Sequence, residues 1–521
     1  VLIPAVFTIL WPKRLIRGKP DRGLHIVNRH SPRVARNARV LQLDRTLEQN
    51  PDAVEARYER ASLLRELGIF DAARRDYLEL LRRTPTDFGV LNDFGTLVLA
   101  AGYKDAARSL FGEAVHRHPE NPNGRVNLAN LLFLTDEYEQ ARHHFEAALG
   151  VDPHHIHARR GMGNLLAELG DAAGARRHRD KAFKNNFLTT LPYRGDGPAI
   201  SVLLLISAVG GNIPTASVLD DRQFRTTVLV MEYADPKVPL PQHDLVFNSI
   251  GDADLCGQGL EAARGVLART DRPLINHPAA VLKTGRASNA DRLRRLPNVV
   301  AARTVTVPRR LLVGPGAGAI VAGNDFDFPF LVRPPGFHTG RYFVRVENLP
   351  ELAAAAASFP GDDVCLIEAL DARDRDGFHR KCRVKIIDRE IYPIHLAISR
   401  QWKVHYFKAD MADSPENRLQ DAAFLDDMPG FVDARGMSAL ERINAALDLD
   451  YCGIDFVVNA TGDILLFEAN ATTVLVPLSD GRKWDYRRAA FDKEFGAVHT
   501  MLLEKAVGSS GQVAAATKRF G

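Results

Sequence analysis

Over the first 190 residues, apolar and small side chains recur at helical spacing, and the whole pattern then repeats. Pro51, Pro85, Pro119 and Pro153 stand 34 residues apart and divide this part of the chain into units. The first unit carries Ala61, Leu64, Gly68, Phe70, Ala73, Tyr77 and Pro85, and the second Phe94, Gly95, Gly102, Ala107, Phe111, Ala114 and Pro119. The third carries Leu128, Ala129, Leu132, Tyr138, Ala141, Phe145, Ala148 and Pro153. The fourth carries Met162, Gly163, Leu166, Gly170, Ala175 and Ala182, and runs out at Phe187 without its proline. Each unit reads as two antiparallel helices. The small residues let the helices approach, the aromatic and aliphatic ones fill the seam, and the proline ends the second helix. Residues 35–50 predict one further helix that caps the first unit.

Beyond a Gly- and Pro-containing linker at residues 191–198 the pattern shortens. SVLLLISAVGGN, TTVLVM (226–231), DLVFNSIGD (244–252) and PLINHP (273–278) alternate strand-like runs with helical ones, which predicts a small parallel α/β sheet. Gly210-Gly211-Asn212 offers either an anion-binding turn or a plain strand-to-helix turn. SNADRLRRL (288–296) reads as a helix start, and the Gly-rich segment 313–328 as a mobile connection. FPFLVRPPGFHTGRYFVRV (328–346) reads as strand, Gly-containing loop and strand, and DVCLIEALD (363–371) as a strand running into a hinge. KCRVKIIDREIYPIHLAISRQW (381–402) predicts a hairpin turning at Asp388-Arg389-Glu390, with Arg383 and Lys385 on one face. Arg482–Val507 has helical spacing.

The chemistry concentrates in CGIDFVVNATGDILLFEAN (452–470), a second hairpin. If Asn459 pairs with Ile464 across a four-residue loop, Asp455 falls opposite Glu468, and Asn470 shares their face. Carboxylates facing each other across a strand pair repel. A hard divalent cation relieves that repulsion, and two carboxylates with an amide oxygen suit Mg2+ that also holds phosphate oxygens. The alternative is a solvent-facing hairpin that happens to carry acids.

Two resemblances follow. The 34-residue layout is similar to tetratricopeptide (TPR) repeats, whose stacked helices form a concave surface for a peptide or protein partner. An Asp on one strand with Glu-x-Asn on the next resembles the metal-binding hairpin of the ATP-grasp ligases. The wording GIDFVV…FEANAT is nearest their glutathione-synthase-like and RimK-like members. This second resemblance covers roughly residues 198–506. Together they imply a multidomain chain: an N-terminal extension with a capping helix (1–50), four TPR repeats as an all-α solenoid (51–190), an α/β pre-ATP-grasp domain (198–290), an α+β ATP-grasp domain (291–507) and a flexible tail (508–521).

The resemblance also implies ligands and roles. Mg2+ would be held by Asp455, Glu468 and Asn470. ATP would be held by Arg292, Arg333, Gly336, His338, Gly340 and Lys385, with Glu368, Leu370 and Asp371 at the adenosine. Arg383 and Arg400 would stabilise the transferring phosphoryl group. Arg292 and Arg333 stand where relatives carry lysine. The implied reaction forms an amide from a carboxylate and an amine, through an acyl phosphate, on a small-molecule or peptide substrate. A second reading is a TPR scaffold whose ATP-grasp domain senses nucleotide or is inactive. A TPR-bearing glycosyltransferase is a third, disfavoured by the acidic hairpin.

Composition narrows the picture. The net charge is +4 with scattered arginines, so no nucleic-acid footprint stands out. Cys256, Cys365, Cys382 and Cys452 form no CxxC pair and read as reduced core thiols of a cytoplasmic protein. VLIPAVFTILW is too short to span a bilayer, and Lys13, Arg14 and Arg17 follow it rather than precede it, unlike a secretory signal. The sequons at Asn459 and Asn470 therefore read as coincidence. Val1 in place of an initiator Met implies an alternative start or a truncated sequence.

Overall fold

The structure, a computed structural model, describes residues 32–337, 340–374, 376–404, 409–475 and 481–508. The expectations for the apolar N-terminal run, for His338 and for the tail beyond residue 508 lie outside these residues. Two compact units divide the chain. One comprises residues 1–202 and 215–228, and the other residues 203–214 and 229–521.

The repeat region is helical throughout. Helix α1 (Pro32–Gln49) precedes four helical hairpins: α2 (Val54–Glu66) with α3 (Phe70–Arg83), α4 (Phe88–Ala100) with α5 (Lys104–Arg117), α6 (Pro122–Leu134) with α7 (Tyr138–Val151), and α8 (Ile156–Glu168) with α9 (Ala172–Phe183). The pattern of small and large residues explains the pairing. Ala61, Ala73, Ala107, Ala129, Ala141 and Ala148 are fully buried, and Tyr77, Phe111 and Phe145 fill the seams between them. A Cβ on Gly95 would lie 2.5 Å from the Phe111 ring, and one on Gly161 would lie 2.3 Å from that of Phe145. The helix-to-helix turns share one device. Gly68, Gly102 and Gly170 end the first helix with φ of 76°, 85° and 84°. In the third repeat Asp136, at φ 62°, takes that place, as a short polar side chain can.

Among the described residues the second part contains three sheets. The first has the order β1-β3-β2-β4-β5, from β1 (Leu188–Thr190), β2 (Ile200–Ile206), β3 (Phe224–Val230), β4 (Leu245–Asn248) and β5 (Leu274–Ile275), with β4 and β5 parallel. Helix α10 (Gly257–Leu267) lies between β4 and β5, and α11 (Pro278–Val281) and α12 (Arg286–Leu293) follow β5. Helix α12 begins at Arg286, ahead of the expected start at Ser288. Then come β6 (Val299–Ala301), β7 (Thr304–Pro308), α13 (Ala317–Gly323), β8 (Phe330–Arg333), β9 (Val344–Val346), α14 (Leu349–Ser358) and β10 (Asp363–Glu368). The Gly-rich segment expected to be a mobile connection instead forms α13. Its Val321, with Phe326, is buried against Phe330, Val332 and Leu366, and this apolar contact offsets the weak helix propensity of its glycines.

Strands β7-β10-β8-β9 make an antiparallel four-stranded sheet. The remaining elements are β11 (His379–Ile387), β12 (Glu390–Ser399), α15 (Pro415–Asp426), α16 (Met428–Leu447), β13 (Tyr451–Val458), β14 (Ile464–Asn470) and α17 (Arg488–Val507). The third sheet runs β12-β11-β13-β14-β6, antiparallel except where β14 meets β6. Its first hairpin turns through Asp388 and Arg389, both with positive φ, as a two-residue loop that matches strand twist requires.

The acidic hairpin reaches its expected pairing by another route. Val458, not Asn459, pairs with Ile464, and the Asn459 side chain accepts the backbone N–H groups of Thr461 and Asp463 to fix the turn. A bulge between Asp455 and Phe456 then absorbs one residue, so that Asp455 still faces Glu468.

The tight helix seams are directly testable. Gly161→Ala should destabilise the array by about 1–3 kcal/mol through overpacking against Phe145. Gly150→Ala, where nothing lies within 4 Å, should be neutral or slightly stabilising. Thermal unfolding followed by circular dichroism separates the two, and equal midpoints would show that the seam tolerates the extra carbon.

Candidate functional site

One row of side chains crosses the third sheet. His395 on β12 pairs with Arg383 on β11, Arg383 with Asp455 on β13, and Asp455 with Glu468 on β14. Cross-strand neighbours share a face, so strand pairing alone sets a cation beside an acid beside an acid. The Arg383 guanidinium grips Asp455 in a fork, with Nη2 donating to Oδ2 at 2.7 Å and Nε to Oδ1. Lys381, two residues along β11, adds Nζ at 3.1 Å from Oδ2. Asp455 is 5% exposed. Burial alone would raise its carboxyl, but the charges of Arg383 and Lys381 outweigh burial and hold it well below the usual carboxylate range. His395 is buried and its ionisation pushed well below the ordinary value by desolvation, then by Arg383, so it stays neutral.

Glu468 is neutralised from elsewhere. Arg286, the first residue of α12, donates Nη2 to Oε1 at 2.8 Å, and the Asn470 amide donates to the same oxygen at 2.7 Å. The Asn470 Oδ1 accepts from the Thr472 hydroxyl at 2.8 Å. The facing acids are thus compensated by three cations of the chain itself. This corrects the physical premise that their repulsion must be relieved by a metal ion.

Arg333 ends β8 and is 7% exposed. Its Nη2 is buried with no hydrogen-bond partner, and its guanidinium lies 5.5 Å over the Phe343 ring. Desolvation, then the field of Arg286, lowers its ionisation to about 10, so it remains a cation at neutral pH. A buried, under-bonded guanidinium is costly without an anion. In the loop beyond it, Gly336 and Gly340 take φ of 77° and 76°, which frees the backbone to turn. A Cβ on Gly336 would stand 3.3 Å from Leu255.

Other expected residues are committed elsewhere. Arg292 donates to the Ala446 carbonyl and to Asn289 Oδ1, so it braces α12 while Arg286 reaches the hairpin. Lys385, expected to project into a cleft with Arg383, is 1% exposed and paired with buried Glu494 and the Val474 carbonyl. Arg400 is exposed, with its guanidinium 5.6 Å over the Phe378 ring. Glu368 accepts the Arg303 N–H at 2.9 Å. Leu370 packs on the small Ala302–Cys365–Ile367 cluster. Asp371 is exposed and forked by Arg373, which lowers it to about 2. Asn212 is spent bonding both the N–H and the C=O of Ser207, and Gly211 is packed beneath Asp252 and Cys256, so this turn reads as structural.

Arg286, Lys381 and His395 were the members of the site not singled out from sequence. Lys381 and His395 were accessible from strand pairing once Asp455 was chosen. Arg286 was not, because the residues reaching Glu468 from α12 depend on a long-range packing. Among the described residues no group of three or more His, Cys, Asp or Glu side chains could hold a metal ion, so a divalent ion here would rely on two carboxylates and the Asn470 amide. The four cysteines are buried. Among the described residues no helix is long and apolar enough to cross a membrane.

Comparison with known proteins matches the tetratricopeptide repeat family model over residues 40–88, 92–141 and 135–182. Similar solved structures include a thermophilic TPR protein from Thermus thermophilus, with 22% identity over 29% of this chain and 83% of that one, at a TM-score of 0.26. MamA from Desulfovibrio magneticus gives 17% identity over 29% and 85%, at 0.27. YrrB, described as a TPR protein with an unusual peptide-binding site, gives 19% over 29% and 77%, at 0.26. No curated protein sequence matches the chain.

The charge row makes a stability prediction. Asp455→Asn should cost about 3 kcal/mol, the lower end for breaking a buried pair because the Arg383 side chain is 31% exposed. Because the Asp455 carboxyl is lowered in the folded state, its contribution is present above an unfolded value of about 3.9 and is lost as pH falls below it. Denaturant midpoints should therefore differ most between wild type and Asp455→Asn above about pH 4 and converge in acid. A gap that persists unchanged in acid would contradict the ion-pair account.

Proposed function

We propose, for a chain whose residues 40–182 are tetratricopeptide repeats, that the region from about residue 198 to residue 507 is an ATP-grasp ligase. It would join a carboxylate to an amine through an acyl phosphate, releasing ADP and phosphate, while the repeats recruit a peptide or protein partner. The observation that carries this reading is the buried Arg333 guanidinium with an unpartnered Nη2, close enough to Arg286 and Glu468 for their charges to shift its ionisation. A phosphate oxygen is an anion suited to that nitrogen. Two sheets, one antiparallel with four strands and one bearing the acidic hairpin, agree with this reading.

The donor chemistry also fits. Asp455, Glu468 and Asn470 offer hard oxygen ligands on adjacent strands and would hold Mg2+, which when bound supplies neutralising charge to phosphate oxygens. Arg333 would bind and orient a phosphate from the end of β8. Arg383, already aimed along the sheet row, would turn from Asp455 to the phosphoryl group, with Arg286 following from Glu468. Backbone N–H groups at Gly336 and Gly340 would cradle phosphate oxygens. Such a site works by positioning and charge rather than by acid–base residues.

A second reading, a TPR scaffold with a nucleotide-sensing or inactive domain, is favoured by a specific observation. The carboxylates of Asp455 and Glu468 are already satisfied by Arg383, Lys381 and Arg286. ADP release by the full chain with Mg2+ and pooled amino acids or short peptides separates the two. Nucleotide binding without ADP release in any pool would favour the scaffold.

Arg333→Ala should weaken MgATP binding about 10- to 100-fold, the scale of a lost hydrogen bond to a charged group. Arg292→Ala should lower stability and leave nucleotide affinity within about threefold, because its bonds go to Ala446 and Asn289. Fluorescent-nucleotide titration measures both. The reverse ranking would move the phosphates to the other arginine.

A further inference from the structure

In the acidic row, both Asp455 oxygens, Glu468 Oε1 and Asn470 Oδ1 are already engaged by a cation, an amide or a hydroxyl of the chain. Asp455 Oδ1 takes Arg383 Nε, and Oδ2 takes both Arg383 Nη2 and Lys381 Nζ. Glu468 Oε1 takes Arg286 Nη2 and Asn470 Nδ2, and Asn470 Oδ1 takes the Thr472 hydroxyl. These partners are not equally fixed. The Asp455 side chain is 7% exposed, whereas those of Lys381, Arg286 and Arg383 are 18%, 21% and 31% exposed, so the cations have a path outward and the acid does not.

A divalent cation arriving alone would have to expel these groups and leave Arg383, Lys381 and Arg286 without counter-charge beside it. Arg333, already under-bonded, sits in the same field. Two carboxylates would then face the metal and four cationic side chains, an arrangement that low-dielectric burial penalises heavily. A polyphosphate changes the balance. Its oxygens accept the displaced guanidinium and ammonium groups at the moment the carboxylates release them, and they also satisfy Arg333 Nη2.

We infer that the Asp455–Glu468 pair is a masked divalent-cation site, closed by Arg383, Lys381 and Arg286, which admits a metal ion only together with a polyphosphate-bearing ligand. This rests on the nucleotide reading given above. Lys381 and Arg383 are the positioning residues that enforce the coupling. By linkage the dependence is reciprocal, so the ligand binds tightly only with the metal.

The test measures protein-bound Mn2+ by ultrafiltration of the full chain, with and without a non-hydrolysable β,γ-imido analogue of ATP, and in parallel follows the analogue itself. Wild type should bind Mn2+ about tenfold or more tightly with the analogue than without it. Lys381→Met and Arg383→Gln should each raise Mn2+ affinity without analogue by about tenfold or more and shrink that difference. Lys381→Met keeps the Arg383 fork, and the wild-type comparison needs no variant, so a folding failure in Arg383→Gln leaves the test intact. Equal Mn2+ affinity in wild type with and without bound analogue overturns the masking while leaving the nucleotide reading in place. Failure of the analogue to bind wild type at any metal concentration overturns both.

Discussion

A buried negative charge governs how the third sheet is built. Asp455 sits in the middle of a five-stranded sheet, where an uncompensated carboxylate would be expelled or protonated. The sheet answers with strand register. Pairing β11 against β13 puts Arg383 directly opposite, and the two-residue period of β11 brings Lys381 to the same face. The β13–β14 bulge keeps Glu468 in the row despite a loop one residue longer than the strand sequences imply. Any slip of one residue would turn these side chains to the opposite face and strand the acid in the core.

The same logic recurs at the edges of this sheet. Lys385, one period beyond Arg383, is buried on Glu494 of α17 and tethers that helix to β11. Asp421 of α15 receives the Leu396 N–H of β12 at 2.7 Å and is forked by Arg487, tying helix and strand to the segment that leads into α17. Pairs of this kind add little net stability over apolar packing, but breaking one partner is expensive, so they specify which helix lies where. The cations of β11 thus divide into two uses. Arg383 and Lys381 lie toward solvent and can exchange partners, and Lys385 cannot.

Legibility in the sequence followed the range of the interactions. The repeats were readable to single residues because each turn, seam and proline is a local requirement met again every 34 residues. Asp455 facing Glu468 was readable because a hairpin is also local, although the turn that achieves it was assigned one residue off. The resemblance points to Arg292, whereas Arg286 is the cation that reaches Glu468. Both lie on α12, but only the helix start at Gly285 and its packing on β14 decide which of them meets Glu468. Lys385 looked equivalent to Arg383 because alternation gives a face without saying what covers it. Glu494, which covers it, lies 109 residues away in sequence.

Arginine at 333 has a physical reason in this arrangement. Arg286 bonds the Glu468 carboxylate, Arg333 lies within the field of both, and Arg333 is almost wholly out of water. Burial and the neighbouring charge bring the guanidinium down to about 10, which still leaves it charged at neutral pH. A lysine, whose ordinary value of about 10.4 starts lower than that of arginine, would lose its charge more readily under the same burial and neighbouring charge. Arg286 is instead raised, burial being outweighed by the Glu468 carboxylate, so the need for arginine falls on position 333.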